Sequence, residues 1–340
     1  MKSFVFWLLC LFLPFTQPVW GAPEMAPGDS LRISHMRDRI ESLRKTLKIP
    51  GLSVAIIRND SVIYADGFGL RDLENKLPAT ANTAYPIASL TKTFASTLLL
   101  SLVEEGKLDL NTPMRQFFPE MKGDTPRVLH YFSHTGDGIA GTHYAYSDSN
   151  FAKLTRVLET LSGQSFRDLL VSRIIEPLGM EQTTPRSSNG ALNELAHAYR
   201  LNAAGQMLPS RYPGPKINTG SGIITTVLDL AKYYIAVDQH RFVSAKTQEL
   251  AWSPFIANNG TPQPYGFGWF VQNYRGGKLV WHYGEIESFS SLVLKVPTQK
   301  LTFILLANAS RTSEPFDLGV GNVLRSPFAQ TFLENFAPSL

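Results

Sequence analysis

Residues 85–94 read YPIASLTKTF, and this stretch opens a long predicted helix that runs over residues 90–105. Positions three apart lie on one face of a helix, so the Ser89 hydroxyl can meet the Lys92 amine. Serine is a weak nucleophile until a base takes its proton, and a lysine whose charge is disfavoured by burial can be that base. Because Ser-x-x-Lys is a common tetrapeptide, the same residues also fit a serine cap beside a solvated lysine.

Hydrophobic periodicity on either side of this helix separates helical from strand-like segments. An amphipathic helix is expected from Ser30 to the Pro50-Gly51 stop, and further helices follow the capping residues Ser165 and Thr226. A last helix is expected over residues 314–332. Strand-like runs occur at residues 52–58, 61–67, 265–273, 278–283, 288–296 and 301–307.

The order of these segments predicts an α/β (α+β) fold with one antiparallel sheet. The first two strands form a hairpin through Asn59-Asp60, and short turns link the last four strands into a meander. The sheet is therefore expected from both chain ends, roughly residues 52–70 and 265–307, with a mostly helical region at roughly 90–235 inserted between them.

The first 21 residues have the pattern of a secretory signal peptide. Lys2 precedes an apolar stretch over residues 4–15 that is short for a membrane span, and small residues end the segment near Gly21. Cleavage there leaves a single domain over 22–340 with no stable membrane span, expected in the periplasm or secreted; an uncleaved anchor is the alternative. Cys10 is the chain's one cysteine, so the mature protein has no disulfide, thiol nucleophile or cysteine-bound zinc.

Composition argues against several other functions. The formal net charge of +4 comes from scattered lysines and arginines, which gives no nucleic-acid-binding tract. His130, His134 and His143 are close in sequence, but Gly136 and Gly138 interrupt any helix that could present them to zinc. No glycine-rich segment has phosphate-loop spacing. The sequence therefore predicts neither a metal nor another cofactor.

An ordered series of short motifs over roughly residues 31–310 resembles the serine β-lactamase and penicillin-binding-protein family. The likeness is closest to the branch that holds class C β-lactamases, D-Ala-D-Ala carboxypeptidases and related esterases. It implies a β-lactamase-like fold and a serine hydrolase that forms an acyl-enzyme on an ester or amide of a small molecule or peptide. Besides residues 85–94, the motifs are Phe132-Ser133-His134-Thr135-Gly136, Glu176-Pro177-Leu178-Gly179-Met180, Gly220-Ser221-Gly222-Ile223, Tyr265-Gly266-Phe267-Gly268-Trp269 and His282-Tyr283-Gly284.

The family's second motif, Tyr-x-Asn, has its best match in Tyr146-Ser147-Asp148. The resemblance implies that Tyr146 is a general base toward Ser89 and an acid toward the leaving group. A phenol with a pKa near ~10 can be a base only if a cation such as Lys92 stabilises its phenolate. Tyr144 is a rival position, and a purely packing role for Tyr146 is the other alternative.

The family's third motif is Lys-Thr-Gly, often His-x-Gly in carboxypeptidases and esterases, and His282-Tyr283-Gly284 matches the second form. The resemblance implies that substrate lies along this strand beside Gly284. The backbone N–H groups of Glu285 and Ser89 would then form the oxyanion hole. A packed core histidine is the alternative for His282. Asp148, His282, Gly284 and Glu285 are thus the expected substrate-binding residues.

Several departures from the family pattern favour a peptidase or esterase over a drug-hydrolysing enzyme. Tyr146 follows Ser89 by only 57 positions, which predicts a short loop and an open site. Tyr283 and His282 replace the usual Thr and Lys, removing groups that hold a β-lactam. Asp148 replaces Asn and is expected either to pair with Lys92 or to cap a helix beginning near Asn150. A true class C-like β-lactamase and a non-catalytic binding protein remain alternatives.

Overall fold

The computed structural model describes residues 25–122, 126–185, 194–210 and 216–338 of the chain. The predicted signal peptide lies outside these residues. The α-helices are α1 (Asp29–Thr46), α2 (Thr91–Glu104), α3 (Val128–Phe132), α4 (Asp148–Ala152), α5 (Leu154–Ser162), α6 (Phe166–Leu170), α7 (Val227–Asp238), α8 (Ala245–Ala251) and α9 (Pro327–Phe336). The strands are β1 (Gly51–Arg58), β2 (Ser61–Asp72), β3 (Leu77–Pro78), β4 (Tyr85–Pro86), β5 (Thr184–Pro185), β6 (Tyr199–Leu201), β7 (Met207–Pro209), β8 (Ile223–Thr225), β9 (Phe270–Tyr274), β10 (Gly277–Ile286), β11 (Phe289–Val296) and β12 (Leu301–Ala307).

The main sheet joins the two ends of the chain. Seven strands of the described residues pair in the order β3-β2-β1-β12-β11-β10-β9, and every pair is antiparallel. β1 lies against β12 in continuous register from Leu52 opposite Ala307 to Arg58 opposite Leu301. The hairpin turn at Asn59 and Asp60 has positive φ at both residues, which is the conformation of a tight hairpin turn. The sheet predicted from both chain ends is therefore confirmed.

Both faces of the sheet are covered by helices. Side chains alternate along a strand, and in β12 Ile304 and Leu306 face one apolar core while Phe303 and Leu305 face the other. The first core contains α2 and α7, and the second contains α1 and α9. Burial on both faces explains why these strands are nearly continuous apolar runs.

Helix α2 passes through the first core and is buried on nearly all sides. A 3₁₀ turn over Ala88–Leu90 precedes it, so Ser89 lies in a tight turn at the helix entrance. Ala88 has φ 47°, a left-handed conformation that costs a residue with a Cβ energy. The nucleophile candidate thus stands on a constrained turn between strand β4 and a buried helix.

Two sequence predictions were wrong in part. The strand expected from Tyr265 begins only at Phe270, because the preceding loop turns back in an isolated bridge of Tyr265 with Phe270 and packs on α2. Ser96 donates a hydrogen bond to the Phe267 carbonyl at 2.7 Å. Gly268 has φ 80°, and a Cβ there would lie 2.5 Å from the Ser96 side chain. The loop therefore depends on glycine at this contact.

The helix predicted over residues 314–332 is also wrong in its first half. Short 3₁₀ turns occupy that region, and α9 starts at Pro327. Asp317 and Gly321 have φ 46° and 86°, and these left-handed residues interrupt a helix. Ser326 caps α9 through the N–H of Ala329, with Pro327 at the first helical position, where its missing N–H costs nothing.

The helix starts predicted at Ser165 and Thr226 are confirmed, since each hydroxyl accepts the backbone N–H three residues on. Among the described residues, no helix combines the length and apolar character that crossing a bilayer requires.

Candidate active site

Ser89 and Lys92 meet as their spacing predicts. The Lys92 side chain is fully buried, and its Nζ lies 2.9 Å from Ser89 Oγ, 3.1 Å from the Gly220 carbonyl and 2.5 Å from Asp148 Oδ1. Burial lowers the pKa of Lys92, and the Asp148 carboxylate opposes this by favouring the charged amine. The lysine therefore has a depressed pKa beside the serine hydroxyl.

Asp148 is the exposed partner of this buried amine. Its side chain is 71% exposed, although Oδ1 contacts Lys92 and also lies 3.4 Å from Ser89 Oγ. It is the first residue of α4, whose cap is the hydroxyl of Ser147, 3.4 Å from the backbone nitrogen of Asn150. Of the two expectations for Asp148, the ion pair with Lys92 is the one observed, and the helix cap is Ser147.

Tyr146 is partly buried beside the same amine, and its hydroxyl oxygen is fully buried. Lys92 Nζ lies 5.0 Å from the centre of its ring, and the Tyr146 hydroxyl has no hydrogen-bond partner among the described residues. Burial and the Asp148 charge raise the pKa of Tyr146 well above its ordinary value, with the neighbouring Ser89 hydroxyl opposing them. The phenol is therefore protonated in this state.

Tyr144 is directed elsewhere. Its hydroxyl donates to the Gly319 carbonyl at 2.9 Å, in the segment between β12 and α9. Burial raises the pKa of Tyr144 as well. Of the two tyrosines considered from the sequence, Tyr146 is the one that lies over Lys92.

His134 holds the segment around Tyr146, a contact that the sequence did not reveal. Its ring stacks on the Tyr146 ring at 4.2 Å between centroids. Its Nδ1 accepts the Ser147 N–H at 3.1 Å, and its carbonyl accepts the Ala145 N–H at 2.8 Å. Burial, Lys92 and His282 lower the pKa of His134 well below its ordinary value. The sequence signal for this contact was the Ser133-His134-Thr135-Gly136 motif. The sequence could not show that His134 stacks on Tyr146, which lies 12 residues further along the chain.

His282 lies on β10 and points inward. Its Nδ1 lies 2.6 Å from the Tyr283 carbonyl, which can only accept, so Nδ1 carries the proton and Nε2 accepts from the Tyr265 hydroxyl at 2.8 Å. Burial and the Lys92 charge lower the pKa of His282 to about 3. The ring is neutral at ordinary pH and both nitrogens are hydrogen-bonded. His282 therefore lacks the positive charge of the lysine at this position in the Lys-Thr-Gly motif.

Gly284 brings β10 against the turn that carries Ser89. A Cβ at Gly284 would lie 2.2 Å from the Ile87 carbonyl oxygen and 3.1 Å from the Ser89 nitrogen, so only glycine fits. Pairing between β9 and β10 ends at Trp281, which leaves residues 282–286 without a partner on that side among the described residues. The Ser89 N–H thus lies beside a strand edge that an extended substrate could follow.

Comparison with known proteins places these features in a family. The β-lactamase family profile, described as Beta-lactamase, matches residues 36–324.

The chain belongs to the β-lactamase family.

Two curated relatives in this family resemble the chain. Protein flp of Staphylococcus aureus is 25% identical over 312 residues, a match that covers 78% of this chain and 61% of that protein. The chain thus spans about three fifths of flp. Penicillin-binding protein 4* of Bacillus subtilis is 24% identical, with 82% of this chain and 72% of the relative covered. The solved structure of the octameric penicillin-binding protein homologue from Pyrococcus abyssi is 25% identical, has a TM-score of 0.78, and is matched over 90% of this chain and 78% of its own. The β-lactamase-like fold expected from the sequence is confirmed.

The histidines considered from the sequence and one further cluster of possible metal ligands among the described residues have protein neighbours. His130, His134 and His143 each contact different neighbours. Elsewhere, potential ligand atoms of Asp72, Glu74 and His197 lie within 4.8 Å of one another. The Asp72 carboxylate accepts hydrogen bonds from Asn75, and Glu74 accepts one from the Tyr199 hydroxyl. Both carboxylates therefore have hydrogen-bond donors within the protein.

Proposed function

We propose that the protein is a serine hydrolase in which Ser89 forms an acyl-enzyme with an ester or amide substrate. The observation that carries this proposal is the contact of Ser89 Oγ with the buried amine of Lys92 at 2.9 Å. Membership of the β-lactamase family supports it. The absence of the β-lactam-holding lysine and threonine at positions 282 and 283 favours peptidase- or esterase-like activity.

In the first half of the reaction, neutral Lys92 is the base. Its Nζ takes the proton of Ser89 Oγ as Oγ bonds to the substrate carbonyl carbon, and the lysine becomes the ammonium of the pair with Asp148. Burial of Lys92 lowers its pKa and makes the neutral amine accessible. The carbonyl electrons move to the oxygen, which the N–H groups of Ser89 and Glu285 hold.

In the second half, Tyr146 is the acid. Its protonated phenol donates to the leaving amine or alkoxide as the carbon–leaving group bond breaks. The Lys92 ammonium, 5.0 Å from the Tyr146 ring, stabilises the tyrosinate and returns the proton. The raised pKa of Tyr146 favours this acid role over the base role that the family resemblance implied. Water then hydrolyses the acyl-enzyme by the same transfers in reverse.

A labelling experiment tests the nucleophile. Incubation with a fluorophosphonate should add one adduct to the intact protein, and peptide mapping should place it on Ser89. Ser89→Ala should remove the label. An adduct on another residue, or a label that survives Ser89→Ala, would refute the assignment.

We also propose that residues 1–21 direct export and are removed, leaving residues 22–340 as one domain in the periplasm or outside the cell. The support is the charged and apolar pattern of that segment. N-terminal sequencing of protein purified from a bacterial periplasm or culture medium should begin at Ala22. Recovery of the full chain in the membrane fraction would support an uncleaved anchor instead.

A further inference from the structure

A pocket of about 570 Å³ adjoins the end of β10, immediately beyond Gly284. Five charged residues line it: Glu285 and Glu287 from β10 and the following turn, Arg311 and Glu314 from the segment after β12, and Arg200 from β6. Glu285 is the residue whose backbone N–H is proposed for the oxyanion hole. The pocket therefore lies where a substrate held at Ser89 would extend.

Both guanidinium groups in the pocket already have carboxylate partners. Arg311 Nη1 lies 3.2 Å from Glu314 Oε2, and Arg200 Nε lies 3.9 Å from Glu287 Oε1. Glu285 has no ion pair among the described residues, so its carboxylate is the unmatched charge of the pocket. An anionic ligand would compete with these carboxylates for the guanidinium groups, whereas a cation would meet an unpaired carboxylate.

The negative charges around Glu285 favour the binding of a cation beside its carboxylate. Partial burial and the charges of Glu314 and Asp317 raise the pKa of Glu285, although the residue reaches solvent at the pocket mouth. Asp317 itself pairs with Arg325 at 2.9 Å. The Glu285 charge also raises the pKa of Tyr146, so the carboxylate is within electrostatic reach of the proposed acid. Its field acts on the site where the substrate reacts.

We propose that Glu285 is a specificity-determining residue that selects acyl groups bearing a cationic nitrogen and disfavours acyl groups bearing a carboxylate. This inference rests on the proposed function of Ser89 as the acylated residue. The carboxylate gains a charge partner only when such a substrate binds, and a close charge pair near the protein surface discriminates by about tenfold. The natural substrate class is then an ester or amide of a cationic acyl group.

Three 4-nitrophenyl esters test this selection. Their acyl groups are 4-(trimethylammonio)butanoyl, its neutral carbon isostere 5,5-dimethylhexanoyl, and the anionic glutaryl group, each corrected for spontaneous hydrolysis. The wild-type enzyme should give kcat/KM values in the order cationic, neutral, anionic, with about a tenfold ratio between the first two. Glu285→Gln keeps the side-chain size and should bring that ratio close to one.

Glu334→Gln is the matched control, because Glu334 is an exposed carboxylate on α9, away from the pocket lining, and the ratio should persist. Raising the salt concentration to about 1 M should compress the wild-type ratio, and this measurement needs no variant. Ester turnover that requires Ser89 but shows equal rates for cationic and neutral acyl groups would overturn the inference. Turnover of every ester no faster than in Ser89→Ala would instead refute the proposed function.

Discussion

Two buried lysines in this protein have closely similar surroundings. Lys92 Nζ contacts Asp148 at 2.5 Å and the Ser89 hydroxyl at 2.9 Å, above the rings of Tyr146 and Phe151. Elsewhere in the same core, Lys295 Nζ makes equivalent contacts, with an aspartate at 2.9 Å, a threonine hydroxyl at 2.9 Å and two aromatic rings; these partners are Asp238, Thr302, Tyr234 and Trp252. Burial lowers the pKa of both lysines, and each aspartate opposes it.

The difference lies in what surrounds each pair. Asp148 is 71% exposed, and Ser89 stands on a strained turn beside an open strand edge. Asp238 is 26% exposed, and Thr302 is buried within the sheet on β12. A depressed lysine pKa is thus not enough to mark a catalytic base. The distinguishing features are the exposed aspartate and the unpaired strand edge beside the Ser89 hydroxyl.

The largest expected effect is a loss of activity when Lys92 is replaced, which replacement of Lys295 should not cause. Lys92→Ala and Tyr146→Phe should each lower kcat by about 10²–10⁴, the usual cost of losing a general base or acid. If the two groups act as one proton-transfer unit with Ser89, as proposed, the double variant should be little worse than either single variant. Steady-state kinetics on a matched ester and anilide measures this.

Tyr144→Phe is the control for that experiment, because the Tyr144 hydroxyl serves the Gly319 carbonyl and not Lys92. It should retain activity within a few fold of wild type. If Tyr144→Phe lost the activity and Tyr146→Phe kept it, the tyrosine assignment would be reversed.

The second effect should appear in stability. Lys295→Met leaves the Asp238 carboxylate without its ammonium partner and should lower the free energy of unfolding by about 3 kcal/mol, near the low end for breaking a buried pair, since Asp238 remains partly solvated. Urea unfolding followed by circular dichroism measures this. The kcat/KM of the folded enzyme should not change.

Replacing both partners, in Lys295→Met with Asp238→Leu, should recover much of that loss, because no unpaired charge remains. A Lys295→Met protein of normal stability but low kcat/KM would show that the second lysine also takes part in the reaction.

The smallest effect concerns pH. The proposed base is neutral Lys92, so kcat/KM should rise with pH through the pKa of Lys92. Asp148 raises that pKa, and Asp148→Asn should therefore move the rising limb of the profile to lower pH. Profiles of kcat/KM between about pH 5 and 10 reveal the shift. Asp238→Asn acts on Lys295 and should leave the limb in place; an unmoved limb in Asp148→Asn would argue against Lys92 as the base.

The sequence predicted features that depend on short-range patterns. Apolar runs and the Asn59-Asp60 turn were sufficient for the sheet, and the Ser89–Lys92 spacing was sufficient for their contact. The ion pair of Asp148 with Lys92 was one of two expectations from the position and charge of Asp148, the other being a helix cap.

Features that depend on contacts between distant segments were not predictable. The loop before β9 is irregular because it packs on Ser96. The Tyr146 ring stacks on His134, and the turn between them contains Gly138 and Gly141 with positive φ. The lack of an ion-pair partner for Glu285 depends on which arginines lie nearby in the folded chain and on which carboxylates those arginines contact. A single sequence carries no direct record of such arrangements.

The turn at Ala88 links catalysis to cooperative unfolding. Left-handed backbone at a non-glycine residue costs about 1–2 kcal/mol, and it persists only where neighbouring structure holds it. Here Ser291 of β11 donates to the Ile87 carbonyl at 2.8 Å, and Gly284 of β10 abuts the Ser89 nitrogen. When these central strands separate, the turn should relax and Ser89, the proposed nucleophile, should leave its position. The proposed nucleophile is therefore expected to belong to the same cooperative unit as the middle of the sheet.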